Sequence, residues 1–342
     1  MLAGMEETTE TETVGPPAPP WNPSPPEIAL LENKCGLLDR SDRGRLLLSG
    51  ADAAGLLQGQ LSNDIESLDV GTGCEAALLT PKGKLLGIVR VLRTAEDQYH
   101  LTTDRGSLQA LFDTLRRAMV GHSADLEKAT LETAQLSLSG PRADRVAGVS
   151  DLSEIHQSRA AMLGGSRVRL VLTEEGVDVL CPAANAEGVT TALLAAGAEE
   201  GSEAAAQYLR VQAGIPLYGI DLDDSVIPQE ADLNGRLVSF TKGCYTGQET
   251  VARLFYRGSP NRVLRGLLLG GVVESGTPLV NVSTGKEVGR IGSVAAPPGD
   301  PVIGLGIVRI EAAPGAILDA GGVEAEVIEL PFPVLDSPSG AA

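Results

Sequence analysis

Residues Lys242–Glu249 read Lys-Gly-Cys-Tyr-Thr-Gly-Gln-Glu, a cysteine between two glycines with a lysine two positions before it. A thiol acts as nucleophile or ligand in its thiolate form, and a nearby cation favours that form. Cys244 is therefore the first candidate for chemistry, with Lys242 as the group that would activate it. On composition alone the structural reading leads, because Lys-Gly and Thr-Gly pairs are common loop punctuation and a free cysteine is most often a small buried hydrophobe.

Few other residues offer chemistry of their own. Cys35, Cys74, Cys181 and Cys244 lie far apart with no Cys-x-x-Cys pair, and the three histidines are equally scattered, which predicts no metal site, disulfide framework or ligated iron–sulfur cluster. Gly-x-Gly pieces at Gly71–Gly73 and Gly304–Gly306 do not extend to a dinucleotide fingerprint. The acidic run Asp221, Asp223 and Asp224 lacks calcium-loop spacing and reads as a solvated loop.

The elements that must position these residues follow from pattern. Apolar alternation and turn residues predict a strand at Leu37, a turn at Ser41–Gly44, a strand Arg45–Leu48 and a helix Ala51–Leu61 stopped by Ser62-Asn63-Asp64. Pro81-Lys82-Gly83 predicts a hairpin between Glu75–Leu79 and Lys84–Arg93. Helices are expected at Ser107–Ala118, Ala186–Ala195 and Glu203–Ala213, and strands at Leu131–Ser139, Arg167–Leu172 and Val177–Leu180. The mixture implies α+β layers rather than regular βαβ alternation. After Arg262, short apolar runs broken by Gly and Pro predict a small barrel-like β domain.

Composition sets the outer limits. The 342 residues suit two or three domains, and no apolar stretch approaches the roughly 20 residues that span a bilayer. Residues 1–26 are rich in Glu, Thr and Pro and read as a disordered tail holding the sole tryptophan, Trp21; residues 335–342 read as a second tail. With acid and proline where a signal peptide has bases and an apolar core, the expected location is the cytoplasm. A formal charge of −18 argues against general nucleic-acid binding, though Lys242, Arg253 and Arg257 allow a local anion site.

Four segments in the same order carry a resemblance: Gln58–Asp64 (Gln-Gly-Gln-Leu-Ser-Asn-Asp), Leu79–Lys84, Arg210–Gly219 (Arg-Val-Gln-Ala-Gly-Ile-Pro-Leu-Tyr-Gly), and the Lys242 motif through Arg253. Together they resemble the YgfZ/GcvT-type folate-binding proteins, related to the glycine-cleavage T-protein aminomethyltransferase. The first and third segments are shared across that superfamily, whereas the octapeptide around Cys244 marks the YgfZ branch.

The resemblance implies a GcvT-like folate-binding body of two interleaved α+β domains at 27–258 and a C-terminal β-barrel at 259–334. It implies tetrahydrofolate or a derivative as cofactor, with Asn63, Gln212, Tyr218, Lys242 and Arg253 as contacts. It also implies an accessory role in assembly or repair of iron–sulfur enzymes, whose client enzymes or assembly proteins would be partners, with Cys244 as the functional thiol. The alternative is a folate-dependent one-carbon transferase; a third reading is a binding module in which folate is vestigial.

Three departures bear on that choice. Aminomethyltransferases of the superfamily carry an Asp-Asp pair on the strand after the hairpin, where this chain has Gly87 and Ile88. Neither residue exchanges a proton, which disfavours the aminomethyltransferase reaction. Gln212 replaces a glutamate of many relatives, and Ala206 a tryptophan placed beside folate in some.

Overall fold

The strands Gly44–Ser49 and Leu85–Ala95 each bury one arginine, Arg45 and Arg90, on the face opposite Leu46, Leu48, Val89 and Val91. The computed structural model describes residues 20–333. The chain opens with α1 (Pro25–Asn33), β1 (Gly36–Asp39), β2 (Gly44–Ser49), α2 (Ala53–Gln60), β3 (Gly73–Leu79), β4 (Leu85–Ala95), β5 (Gln98–Thr103), α3 (Leu108–Ala118) and β6 (Asp125–Lys128). It continues through β7 (Thr133–Ser139), α4 (Ala143–Ala147), β8 (Ser158–Leu163), β9 (Ser166–Leu172), β10 (Gly176–Pro182), α5 (Ala186–Ala195), β11 (Glu199–Glu200) and α6 (Glu203–Gln212). Two further helices, α7 (Asn234–Leu237) and α8 (Gln248–Arg257), lead to β12 (Arg262–Leu269), β13 (Pro278–Asn281), β14 (Glu287–Ala295), β15 (Val302–Arg309), β16 (Ile317–Asp319) and β17 (Glu324–Ile328).

Two sheets interleave in sequence. β1 joins a six-stranded sheet of order β11-β1-β7-β10-β9-β8, the chain then leaves to build a five-stranded sheet of order β3-β4-β5-β2-β6, and β7–β11 return to the first. Pairing is antiparallel apart from β1 with β11, so this is the α+β body that the pattern predicts. The last six strands close into a barrel, β12-β15-β14-β13-β16-β17, filled by residues such as Leu267, Leu279, Ile291 and Val327.

Each sheet carries its helices on one face. Leu108, Leu111 and Leu115 of α3 recur at helical spacing and pack with Leu56 and Leu57 of α2 on Leu46, Leu48, Val89, Val91 and Leu101. α4 and α5 likewise cover Leu136, Leu138, Val177 and Val179 of the six-stranded sheet. The opposite faces carry Arg45, Glu75 and Arg90 on one sheet and Gln135, Ser137 and Asp178 on the other. These polar faces meet each other rather than solvent.

The N-terminal expectation needs correction. Residues 1–19 and 334–342 lie outside the described residues, but residues 20–26 do not behave as a tail. Trp21 donates its N–H to Val294 O at 3.0 Å, accepts from Ala296 N at 2.7 Å, and its ring sits 5.5 Å from the Arg210 guanidinium. The backbone pairing with β14, a partner more than 270 positions away in sequence, overrides a composition that reads locally as linker.

Candidate functional site

The register of the five-stranded sheet lines up Glu75, Arg90, Thr102 and Arg45 across β3, β4, β5 and β2. Neighbouring strands place opposed residues on the same face, and Glu75, Arg90 and Thr102 of this row form one wall of a cavity of about 150 Å³. Asp178 on β10 and the Thr173–Glu175 turn form the facing wall, and Ile215–Tyr218, which follow α6, close a third side.

Arginines and carboxylates hold the walls together. Arg90 donates to Asp178 at 2.5 Å, and Asp178 also accepts from Ser137 at 2.5 Å and Gln135 at 3.0 Å. Burial works against the Asp178 carboxylate, but Arg90, Arg43 and the Ser137 hydroxyl outweigh it and hold the group near 2. Arg236 from α7 binds Glu75, whose carboxyl, pushed up by burial, is pulled below its usual range by that partner. Arg40 bridges Glu175 at 2.6 Å and Glu203 at 3.2 Å.

Several polar groups in this cavity are left free. Arg90 Nε and Nη2, Thr102 Oγ1 and His156 Nδ1 are buried without a hydrogen-bond partner among the described residues. Buried orphans of this kind are costly, typically about 1–3 kcal/mol each, and their clustering in one cavity fits a polar ligand. Arg43 and Asp104 also line the cavity, and neither side chain has a hydrogen bond or ion pair among the described residues. His156 sits at φ 69°, in the left-handed region that a non-glycine residue rarely adopts. Burial, with Arg90 and Arg236 adding to it against Glu75, pulls its imidazole down to about 4.

The Cys244 loop lies elsewhere. Cys244 is exposed. Lys242 donates from Nζ to the carbonyls of Gln58, Leu61 and Asn63 at 2.7, 2.7 and 2.8 Å. It thus caps the C-terminal end of α2, where carbonyls lack helical partners and a cation is favoured. Burial pushes its ammonium down to about 8, with Asp64, Cys74 and Glu66 acting the other way. The expectation that Lys242 activates Cys244 is corrected: its three bonds are all to backbone carbonyls.

Both neighbouring motifs serve the same interlock. Asn63 donates from Nδ2 to Glu75 O at 2.7 Å, and Ser62 Oγ bridges Leu237 O and Ala77 N at 2.6 and 2.8 Å. Gly247, at φ 87°, lies where a Cβ would meet Thr80 O at 2.7 Å, pressing the loop onto the β3–β4 hairpin.

Of the residues expected to contact a ligand, Tyr218 lines the cavity, its hydroxyl pushed up to about 12 by burial, with Asp224 and Asp223 adding to it. Asn63 lies one shell behind, on the Glu75 backbone. Gln212 does not line it; its carbonyl accepts from Phe332 N at 3.2 Å, beside the barrel. Arg253 is exposed on α8, and Ala206 is buried in a hydrophobic cluster with Tyr208 and Leu31. Arg210 clamps the Gly-Ile-Pro segment to the barrel through Ile215 O, Asp221 and Ser293. Asp221 is therefore a fully buried ion-pair partner, which corrects its reading as part of a solvated loop.

Gly87 and Ile88 differ from each other. A Cβ at Gly87 would lie 2.6 Å from Ser107 Cβ, whereas Ile88 lines the cavity. The cavity residues Arg43, Glu75, Arg90, Asp104, His156, Asp178 and Arg236 carry no motif in the sequence. Their one local signal is a single charged residue within an otherwise apolar run, Arg90 in β4 and Asp178 in β10.

Comparison with known proteins agrees with this architecture. Residues 20–242 match the GCVT N-terminal domain. The aminomethyltransferase of Streptomyces avermitilis is 30% identical over 331 residues, covering 90% of this chain and 88% of the relative. That of Moorella thermoacetica is 28% identical over 332 residues, covering 88% and 87%. A putative chloroplastic transferase of Arabidopsis thaliana is 28% identical over 323 residues, covering 91% and 74%. The crystal structure of glycine cleavage system aminomethyltransferase T from Bartonella henselae has the same fold, with a TM-score of 0.78 at 23% identity over 90% of this chain and 89% of that one. With its interleaved sheets, closed barrel and matched segment, this chain belongs to the GCVT-domain family, related to the glycine-cleavage aminomethyltransferases.

Proposed function

We propose that the chain binds a reduced folate in the cavity between the two sheets and acts as a folate-dependent one-carbon transferase. The observation that carries this reading is the set of unpartnered buried groups, Arg90, Thr102 and His156, beside Tyr218 and the uncommitted Arg43. Their chemistry suits the ligand: donors and acceptors for a pterin edge, an aromatic face for ring contact and a cation for a carboxylate. A reduced folate supplies, when bound, a ring nitrogen able to carry one carbon. Arg43 would hold its anionic end, Tyr218 would pack on its ring, and Ile88 would exclude water from one wall. Calorimetric titration with tetrahydrofolate and 5-formyltetrahydrofolate tests this; saturable binding at about micromolar ligand is expected. No binding at millimolar ligand would remove the reading.

The exposed thiol of Cys244 favours a second reading, the iron–sulfur accessory role of the YgfZ type, in which that thiol acts on a client protein at the surface. Anchoring of Lys242 and Gly247 would then serve to present the thiol on a fixed loop. Under this reading Cys244→Ser fails to restore iron–sulfur enzyme activities in a deletion strain; full complementation would exclude the thiol.

A further inference from the structure

Among the five carboxylates that line the cavity, four are paired with arginine. Glu75 and Glu174 face Arg236, Glu175 faces Arg40, and Asp178 faces Arg90. Asp104 alone has no hydrogen bond or ion pair to its carboxyl among the described residues. A carboxylate locked to an arginine stays ionised and is a poor proton acceptor, whereas an unpaired one in a partly desolvated site gains and loses a proton readily.

Its position is set by the sheet. Val89 pairs with Thr103, and Thr103 Oγ1 donates to Ile88 O at 2.7 Å, so Asp104 follows the end of β5 opposite Ile88 on the cavity face. Ile88 supplies an apolar wall there. The charged groups acting on Asp104 come from three other elements: Asp42 and Arg43 from the β1–β2 turn, Arg210 from α6 and Glu75 from β3. Burial raises its carboxyl, Arg43 and Arg210 oppose the rise, and Glu75 and Asp42 add to it.

We propose that Asp104 is the group that exchanges a proton with the ring nitrogen of the ligand in this cavity, an assignment that rests on the folate reading above. In its acid form Asp104 gives up its O–H proton as an N–H bond forms on the ligand nitrogen, leaving a carboxylate that the Arg210 charge stabilises. In the reverse direction the carboxylate takes that proton back. No oxidant or further reactant is needed. The paired acids around it are held ionised for structure, and this division of roles within one cavity is what the pattern of ion pairs expresses.

Calorimetry of tetrahydrofolate binding in buffers of different ionisation heat, between about pH 5 and pH 8, reads the protons exchanged on binding. Wild type should show a proton linkage with tetrahydrofolate and a smaller one with 5-formyltetrahydrofolate, whose ring nitrogen is acylated. Asp104→Asn, which removes no hydrogen bond or ion pair of the described residues, should fold, still bind tetrahydrofolate saturably and lose the linkage. Asp104→Glu should retain it. An unchanged linkage in Asp104→Asn, or none in wild type despite binding, overturns the assignment while leaving the folate reading intact. Failure of wild type to bind tetrahydrofolate overturns both.

Discussion

The Lys242 ammonium donates to the Asn63 carbonyl at 2.8 Å, joining the loop that holds Cys244 to the end of α2. Two sequence motifs that look like separate pieces of a ligand site are thereby one structural lock. With Gln58 and Leu61 as further acceptors, removal of the ammonium leaves three carbonyls to find water.

Lys242→Met keeps the stem but deletes these bonds, and it should lower the unfolding free energy by about 2–3 kcal/mol. Urea denaturation checks this. A stability equal to wild type would mean that the ammonium is solvated and available to Cys244 after all.

The Arg90–Asp178 pair should govern acid stability. The folded-state value of Asp178, about 2, lies below its ordinary 3.8, so its contribution is fully present above about pH 4 and is lost as pH falls toward 2. The difference amounts to about 2 kcal/mol. Asp178→Asn leaves a buried arginine unpaired and should cost about 3–5 kcal/mol near neutral pH. The gap between wild type and variant, followed by denaturation across acid pH, should shrink below pH 4; a constant gap would contradict the ion-pair account.

His156 should be neutral at physiological pH. Its folded value of about 4 lies below the ordinary 6.5, so the stability it confers is intact above about pH 6.5 and declines as pH falls through 4. An imidazole NMR titration, assigned with His156→Asn because asparagine tolerates positive φ, should show a midpoint near 4. A midpoint near 6.5 would place the ring in water.

Arg43 makes no hydrogen bond or ion pair through its guanidinium among the described residues, so its substitution bears on binding more than on folding. Arg43→Gln should cost no more than about 1 kcal/mol of stability and weaken tetrahydrofolate binding about tenfold. Unchanged affinity, measured by calorimetry, would show that another cation receives the carboxylate.

Much of the scaffold was readable from local pattern. The helix at Ala186–Ala195, the β3–β4 hairpin and the barrel strands follow from apolar periodicity and turn residues acting over a few positions, and these set the α+β body and its closing barrel. The motifs around Asn63, Gly214 and Cys244 were also visible, because their glycines and short polar residues make turns whose geometry is local. What those motifs do was not visible: Lys242 and Arg210 spend their charges on carbonyls and a carboxylate brought close only by folding, and Trp21 is ordered by a strand far along the chain. The cavity itself belongs to tertiary structure. Glu75, Asp104, His156 and Asp178 are spread over about a hundred positions, each unremarked in its own segment, and only the packing of two polar sheet faces against each other makes one charge dependent on the next. Periodicity tells which side of a strand is buried, but which acid in the buried site is left without an arginine depends on contacts between strands that have no trace in local sequence.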